Sequence, residues 1–223
     1  MNLIHTVFEP EGEGPHPTVL ALHGWGANAF DLLGLAPLLV DGRFLVIAPQ
    51  GPIVVPFGPS PEHGHGYGWF PITTGAPPDP AAFGEAVDEL RSFLSAAQQR
   101  YPIDPRKLVV LGFSQGGVMA YALALAQPER FAGLAALSSW LPATLAQQFG
   151  SQARGQLPTL VQHGTQDQLI DVARARESVE SLRALGVPLT YREYDMAHEI
   201  SPESIGDLIG WLQDKVLSPI VLV

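Results

Sequence analysis

The chain has 223 residues, a formal net charge of −10 and no cysteine. This length suits one α/β core that needs no covalent crosslink to stabilise it. The acidic balance argues against nucleic acid or an anionic membrane surface as the main partner, and the lack of cysteine excludes disulfides and a thiolate nucleophile.

The ends and composition of the chain predict a cytoplasmic protein. Residues 1–11 lack a basic region and a long apolar stretch, so we expect no signal peptide. No apolar run approaches the roughly 20 residues that a membrane-spanning helix needs. Ten of the twelve basic residues are arginine, and alanine, proline and glycine are abundant, which indicates a GC-rich bacterial genome.

Apolar runs and helix-like stretches alternate along the chain. This order predicts an α/β fold with a mostly parallel, twisted sheet of about seven strands and helices on both faces. The predicted strands lie near residues 2–8, 18–22, 44–48, 108–111, 134–137, 159–163 and 189–194. The predicted helices lie near residues 29–39, 80–100, 115–126, 171–185 and 202–215. No repeat or linker divides the chain, so we expect a single domain over residues 1–223.

Two segments fall outside this alternation. Residues 49–78 are dense in proline and glycine and too long for a simple connector, so we expect a loop that shapes specificity, as either a lid or a mobile segment. The pair His63 and His65 lies in this loop, but two histidines without a third ligand favour a solvated loop over a metal site. The tail, residues 217–223, ends in an apolar stretch that could pair with another subunit's sheet edge, which leaves monomer and homodimer open.

The motif Gly112-Phe113-Ser114-Gln115-Gly116 lies between a predicted strand and a predicted helix. A G-x-S-x-G turn in this context is the nucleophile elbow of α/β-hydrolases, with the serine on a sharp turn at a helix N-terminus. Ser114 is therefore the predicted nucleophile, and it needs a base because a free hydroxyl is barely nucleophilic at neutral pH.

Chain order selects the base and the acid. In this architecture the acid and then the histidine follow the serine along the chain. Of the two histidines after Ser114, His163 and His198, only His198 leaves room for an acid after the next strand. Asp167 closes the segment Pro158–Asp167, a strand that runs into a loop at the carboxyl edge of the sheet, where catalytic groups gather. The competing acids fit structural roles, because Asp171 suits a helix N-cap and Asp195 suits a solvated loop.

Two backbone N–H groups are predicted to form an oxyanion hole. One belongs to Gln115, directly after the nucleophile, and the other to Trp25, in the glycine-rich turn that follows an early strand. An ordinary strand-to-helix turn with Asn28 as N-cap is compatible with the same residues.

Five segments resemble the phospholipase/carboxylesterase family of α/β-hydrolases, which includes bacterial carboxylesterases and acyl-protein thioesterases. They are Leu22–Gly26, Gly112–Gly117, Leu137–Pro142, His163–Asp167 and Tyr194–Ile200, in order along nearly the whole chain. The resemblance implies a serine esterase with the triad that chain order indicates. Ala197 departs from the family's usual glycine before the histidine and would be strained at positive φ. Pro71 replaces an acidic residue that often follows the Trp-aromatic pair.

The predicted function is hydrolysis of small or short-to-medium carboxylic esters, through an acyl-enzyme and without a cofactor. Aromatic residues expected near the catalytic edge could line an apolar acyl pocket, or could each close local core: Trp69, Phe70, Phe113 and Trp140. The same triad would also cleave a thioester or a lysophospholipid. A non-catalytic ligand receptor with a hydrolase fold is the alternative outside enzymes.

Overall fold

A computed structural model of the chain describes residues 3–73, 77–149 and 156–218. Its core is a sheet of seven strands, β1 His5–Phe8, β2 His16–Leu22, β3 Leu45–Pro49, β6 Ile103–Phe113, β7 Gly133–Leu137, β8 Thr159–Gly164 and β9 Leu189–Tyr194, while β4 Ile53–Pro56 and β5 His65–Gly68 form a separate hairpin. The order in the sheet is β1-β3-β2-β6-β7-β8-β9. Strands β2, β3 and β6 to β9 pair in parallel, whereas β1 pairs antiparallel to β3. The predicted mostly parallel sheet of about seven strands is confirmed.

Five α-helices surround this sheet in the described residues. They are α1 Pro80–Arg100, α2 Gln115–Ala126, α3 Ala143–Gln148, α4 Val172–Ala184 and α5 Pro202–Leu212. A π-helical turn, Gln213–Leu217, continues α5. Alternation along β6 separates the two faces, because Leu108 and Val110 pack with α1 and α2, whereas Val109 and Leu111 pack with α5.

Local capping explains why α1 and α4 begin where they do. Asp79 accepts a hydrogen bond from the Ala82 N–H, and Pro80 occupies the first position of α1, where a missing N–H costs nothing. Asp171 accepts a hydrogen bond from the Ala173 N–H and caps α4, the role that its position indicated.

The predicted helix over residues 29–39 is wrong. The structure has one 3-10 turn there, Leu32–Leu35, within a series of turns. Asn28 accepts a hydrogen bond from the Phe30 N–H through its side chain, which forms a tight turn rather than a helix cap. Gly34 and Pro37 then disfavour continuation, because glycine has low helix propensity and proline lacks the N–H that a helix interior needs.

The segment 49–78 contains a β-hairpin that the sequence reading missed. Strands β4, Ile53–Pro56, and β5, His65–Gly68, pair antiparallel as a separate two-stranded sheet. The hairpin is joined to the body where the Gly26 N–H donates to the Tyr67 carbonyl and the Tyr67 N–H donates to the Ala27 carbonyl. Residues 74–76 lie outside the description, and the lid remains a prediction.

No described helix is both long and apolar enough to cross a bilayer. The predicted pairing surface of the tail, residues 219–223, lies outside the described part of the chain. The nearby residues 213–217 form the π-helical turn, with Val216 buried against the α5 face of the sheet.

Candidate active site

Ser114 occupies a strained turn between β6 and α2. Its φ of 53° and ψ of −120° lie where residues with a Cβ are disfavoured. Its N–H donates to the Leu137 carbonyl at 2.9 Å, and its own carbonyl accepts from the Ser139 hydroxyl at 2.7 Å. The end of β7 and the loop after it thus hold the turn in a conformation that the serine would not adopt alone.

Gly116 shows why the second glycine of the elbow is required. A Cβ at this position would collide with the backbone oxygens of Leu22 and His23. Helix α2 can therefore approach the end of β2 closely only because residue 116 lacks a side chain. The same packing brings Gly24 beside Ser114, since a Cβ at residue 24 would lie 3.2 Å from the Ser114 Cβ.

Asp167 and His198 form a hydrogen-bonded pair. The His198 Nδ1–H donates to Asp167 Oδ2 at 2.7 Å. The other carboxylate oxygen accepts from the N–H groups of Leu169 and Ile170, at 2.9 and 2.8 Å. The Asp167 side chain is fully buried, whereas that of His198 is 14% exposed. These donors around one buried carboxylate fix its orientation, and the carboxylate in turn orients the imidazole.

His163 is a contact of this carboxylate that the sequence reading did not assign. The fully buried ring lies with Nε2 3.3 Å from Asp167 Oδ2 and donates to the Ile170 carbonyl at 2.7 Å. Its place four residues before Asp167, at the end of β8, is the sequence signal that could have indicated the contact. The His163 ring thus contacts both Asp167 and the backbone of the loop that carries it, next to the hydrogen bond between Asp167 and His198.

Backbone hydrogen bonds join the loop after β8, which carries Asp167, to the loop after β9, which carries His198. The Thr165 N–H donates to the Tyr194 carbonyl at 2.8 Å, and the Gln166 N–H donates to the Met196 carbonyl at 3.0 Å. A Cβ at Gly164 would collide with the carbonyl oxygens of Met196 and Ala197, so glycine permits this approach. Ala197 itself does not have positive φ, and the strain that alanine would suffer there does not arise.

Ser114 and His198 line the same cavity, which has a volume of about 1070 Å³. Four further predicted site residues also line it: Trp25, Gln115, Phe113 and Phe70. The Phe113 ring lies 4.9 Å from the His198 ring, centroid to centroid, and shields one side of the imidazole.

The two remaining predicted pocket residues, Trp140 and Trp69, differ in position. Trp140 lines the cavity, whereas Trp69 does not line it and is buried in the core, with 1% of its surface exposed. The Trp69 ring N–H donates to the His23 carbonyl, and its backbone N–H donates to the Gln115 side chain, both at 2.8 Å. Hydropathy alone could not distinguish these positions, because both are large apolar residues in loops at the same edge.

The Gln115 side chain connects the elbow to the wall of the cavity. It is fully buried, and its amide nitrogen donates to the Phe70 carbonyl at 2.7 Å while its oxygen accepts from Trp69. Its backbone N–H belongs to the first turn of α2, where no partner within the helix exists. The oxyanion hole formed by the Gln115 and Trp25 N–H groups remains a prediction, and the proximity of Gly24 to Ser114 supports it.

His23 is held neutral in the turn before Trp25. Its Nδ1–H donates to the Gly24 carbonyl at 2.7 Å, and its Nε2 accepts from the Gly51 N–H at 2.9 Å. Burial is the main cause that lowers the pKa of His23. Protonation would put a hydrogen on Nε2, facing the Gly51 N–H, so this geometry disfavours the charged imidazole.

The folded protein should therefore become less stable as the pH falls below about 6.5, the usual pKa of histidine in an unfolded chain. The unfolded state then takes up a proton that folded His23 resists, and the loss from this group reaches up to about 1.4 kcal/mol per pH unit until the lowered pKa is passed. Denaturant unfolding at pH values around 7.5 and 5.5 measures the difference. His23→Gln should show a smaller difference than the wild type, and an equal difference would contradict this role.

The two loop histidines are engaged with neighbours in the hairpin. His63 Nδ1 lies 2.9 Å from the Ser60 hydroxyl, and His65 Nε2 lies 3.0 Å from the Tyr67 hydroxyl. Within the described ranges no group of three or more His, Asp or Glu side chains is arranged to hold a metal ion.

Comparison with known proteins yields one family and a consistent set of relatives. The family model described as Phospholipase/Carboxylesterase matches residues 4–216. Acyl-protein thioesterase 1 of Gibberella zeae is 29% identical over 208 residues, which cover 87% of this chain and 85% of that protein. A probable carboxylesterase, SOBER1-like, of Arabidopsis thaliana is 28% identical over 158 residues, 67% of this chain, and the match spans only 60% of that relative's length.

Solved structures agree on the fold. The crystal structure of esterase PE8 has a TM-score of 0.81 at 25% identity and covers 96% of this chain and 100% of its own. The Bacillus cereus carboxylesterase also has a TM-score of 0.81, at 21% identity, and covers 96% of this chain and 95% of its own. The family model and the named relatives support serine esterase activity.

Proposed function

Since the chain belongs to the phospholipase/carboxylesterase family, we propose that it is a serine carboxylesterase whose triad is Ser114, Asp167 and His198. The observation that carries the proposal is the 2.7 Å bond between His198 Nδ1 and Asp167, in a site where Ser114 and His198 line one cavity. The substrates are small or short-to-medium acyl esters, and no cofactor takes part.

The mechanism begins with proton transfer from the nucleophile. His198 Nε2 takes the hydroxyl proton of Ser114 as its oxygen attacks the ester carbonyl, and Asp167 stabilises the imidazolium that forms. The N–H groups of Trp25 and Gln115 bind the developing oxyanion. His198 then protonates the leaving alcohol and later activates the water that cleaves the acyl-enzyme.

A thioester is the second candidate substrate. The Gibberella zeae relative named as an acyl-protein thioesterase covers 87% of this chain, and the cavity of about 1070 Å³ is larger than a short ester fills. Ester and thioester pass through the same acyl-enzyme, so the triad does not discriminate between them.

Matched substrates separate these two candidates. We expect kcat/KM to be higher for p-nitrophenyl hexanoate than for a hexanoyl thioester after each is referred to its own uncatalysed rate. Ser114→Ala supplies the background for both substrates. A reversed order would make the chain a thioesterase, and turnover of neither substrate by a folded protein would contradict an esterase of either kind.

The cellular setting is part of the same proposal. We place the enzyme in a bacterial cytoplasm, as a monomer or homodimer. The preference for arginine over lysine, ten residues against two, and the lack of cysteine support this setting. Fractionation of the source cells, with sedimentation of the purified protein, tests the location and the oligomeric state.

A further inference from the structure

Arg174 lies in the first turn of α4 and lines the same cavity as Ser114 and His198. It is the only Arg or Lys among the described residues that line this cavity, and Asp31 is the only Asp or Glu. The protein as a whole carries a net charge of −10, so a positive charge in this position is not a consequence of a generally basic surface.

The guanidinium of Arg174 forms no ion pair with a carboxylate in the described ranges, although Glu177, one turn along α4, is near enough to raise its pKa. The neighbouring arginines of α4 differ, because Arg176 is paired with Glu193 at 2.7 Å and Arg183 is paired with Glu180. No side-chain hydrogen bond of Arg174 occurs with any described residue, and residues 74–76 and 150–155 contain no Asp or Glu. Partial burial lowers the pKa of Arg174, yet the group stays charged at neutral pH.

Trp140 holds this guanidinium in place. The Arg174 Cζ lies 4.4 Å from the centroid of the Trp140 ring, a cation–π contact. A guanidinium held over an aromatic face keeps its edge N–H groups free, and these form the planar fork that matches a carboxylate. Because stacking already orders the side chain, less conformational entropy is lost when an anion binds.

The sheet order places the two charged residues on opposite sides of the nucleophile. Asp31 follows β2, Ser114 follows β6 and Arg174 follows β8, and the strands are ordered β2-β6-β7-β8. With strands spaced about 4.8 Å apart, Arg174, in the first turn of α4, follows a strand that lies two strands, or about 10 Å, from the strand that precedes Ser114. Asp31 follows β2, on the other side of Ser114 from Arg174, and forms no ion pair with Arg174 in the described residues.

We propose that Arg174, stacked on Trp140, binds a carboxylate that the ester substrate carries several bonds away from the scissile carbonyl. This inference rests on the proposed esterase function and narrows its substrate class to esters with a second, anionic group. The anion belongs to either the acyl part or the alcohol part of the substrate, and the test distinguishes the two.

Two pairs of substrates differ mainly in one negative charge. For the acyl part, mono-p-nitrophenyl adipate is compared with p-nitrophenyl hexanoate. For the alcohol part, the acetate ester of p-hydroxybenzoate is compared with the acetate ester of methyl p-hydroxybenzoate. In each pair the ratio of kcat/KM, anionic over neutral, is measured after the Ser114→Ala rate is subtracted.

We expect Arg174→Gln to lower this ratio about tenfold in one of the two pairs, chiefly through a higher KM for the anionic ester. Arg174→Lys should lie between, because it keeps the charge but loses the planar fork. Arg183→Gln is the matched control, since it removes a charge from the exposed end of the same helix and should leave both ratios as in the wild type.

Equal ratios in the wild type and in Arg174→Gln, for both pairs, would overturn the carboxylate site. So would an equal fall in Arg183→Gln, because the effect would then come from net charge alone. The esterase proposal fails separately, if the folded wild-type protein hydrolyses no ester in a Ser114-dependent manner. Hydrolysis of the neutral esters without any Arg174-dependent preference would reject only the carboxylate site.

Discussion

Replacing Ser114 with alanine should lower kcat for ester hydrolysis by at least about 10⁴-fold while the fold persists. The loss is large because the hydroxyl is the group that forms the acyl-enzyme, and neither the His198–Asp167 pair nor the cavity can supply a substitute. Steady-state hydrolysis of p-nitrophenyl esters measures it. Ser95→Ala, on the exposed face of α1, is the control and should keep the wild-type rate.

The backbone of Ser114 adds a stability test of the strained turn. At φ 53° and ψ −120°, alanine suffers the same strain as serine, whereas glycine does not. Ser114→Gly should therefore be inactive yet about 1 kcal/mol more stable to unfolding than Ser114→Ala. Near-normal turnover by either variant would remove Ser114 from the mechanism, and a less stable glycine variant would contradict the strained turn.

Asp167→Asn should lower kcat by about 10³- to 10⁴-fold and destabilise the fold by a few kcal/mol. The carboxylate accepts three hydrogen bonds, from two backbone N–H groups at Oδ1 and from the His198 Nδ1–H at Oδ2. An asparagine NH₂ must face either the two backbone N–H groups or the His198 N–H. If it faces His198, the imidazole adopts the tautomer with hydrogen on Nε2, which cannot accept the Ser114 proton.

The control for this variant lies four residues along the chain. Asp171→Asn makes the same chemical change at the N-cap of α4, where asparagine is an equally good cap. It should leave activity and stability close to those of the wild type. An Asp167→Asn variant with the activity of Asp171→Asn would show that the carboxylate does not orient the base.

Much of the site follows from local sequence because its parts are strongly constrained. Only glycine fits at position 116 against the end of β2, and the strand before Ser114 is a continuous apolar run. The turn at Ser114 can therefore be predicted from five residues and the segments on either side of them. Chain order then separates His198 from His163. These features depend on contacts close in sequence or on one known order of elements.

The features that the sequence did not reveal depend on contacts between distant segments. The hairpin of β4 and β5 is stabilised by a bridge between Ala27 and Tyr67, and its proline- and glycine-rich sequence resembles a loop. Contacts with distant segments decide that Trp140 lines the cavity while Trp69 is buried in the core. The contact of His163 with Asp167 requires the chain to turn back after β8, and hydrophobic periodicity does not predict such a turn.

The interpretation of residues 29–39 failed for a different reason. Its apolar residues do pack against the sheet, so the hydrophobic pattern correctly indicated burial. The backbone nevertheless follows a succession of turns, because Gly34 and Pro37 prevent a regular helix. Burial and secondary structure are separate consequences of a sequence, and here only burial could be predicted.

Covalent labelling tests the central claim most directly, because it requires an activated serine rather than a favourable substrate. The protein is incubated with a fluorophosphonate, its intact mass is measured, and the adduct is mapped by peptide analysis. We predict a single adduct on Ser114, formed in step with the loss of p-nitrophenyl ester hydrolysis, and none in Ser114→Ala. A folded protein that hydrolyses esters without an adduct on Ser114, or that carries its adduct on another residue, would contradict the account.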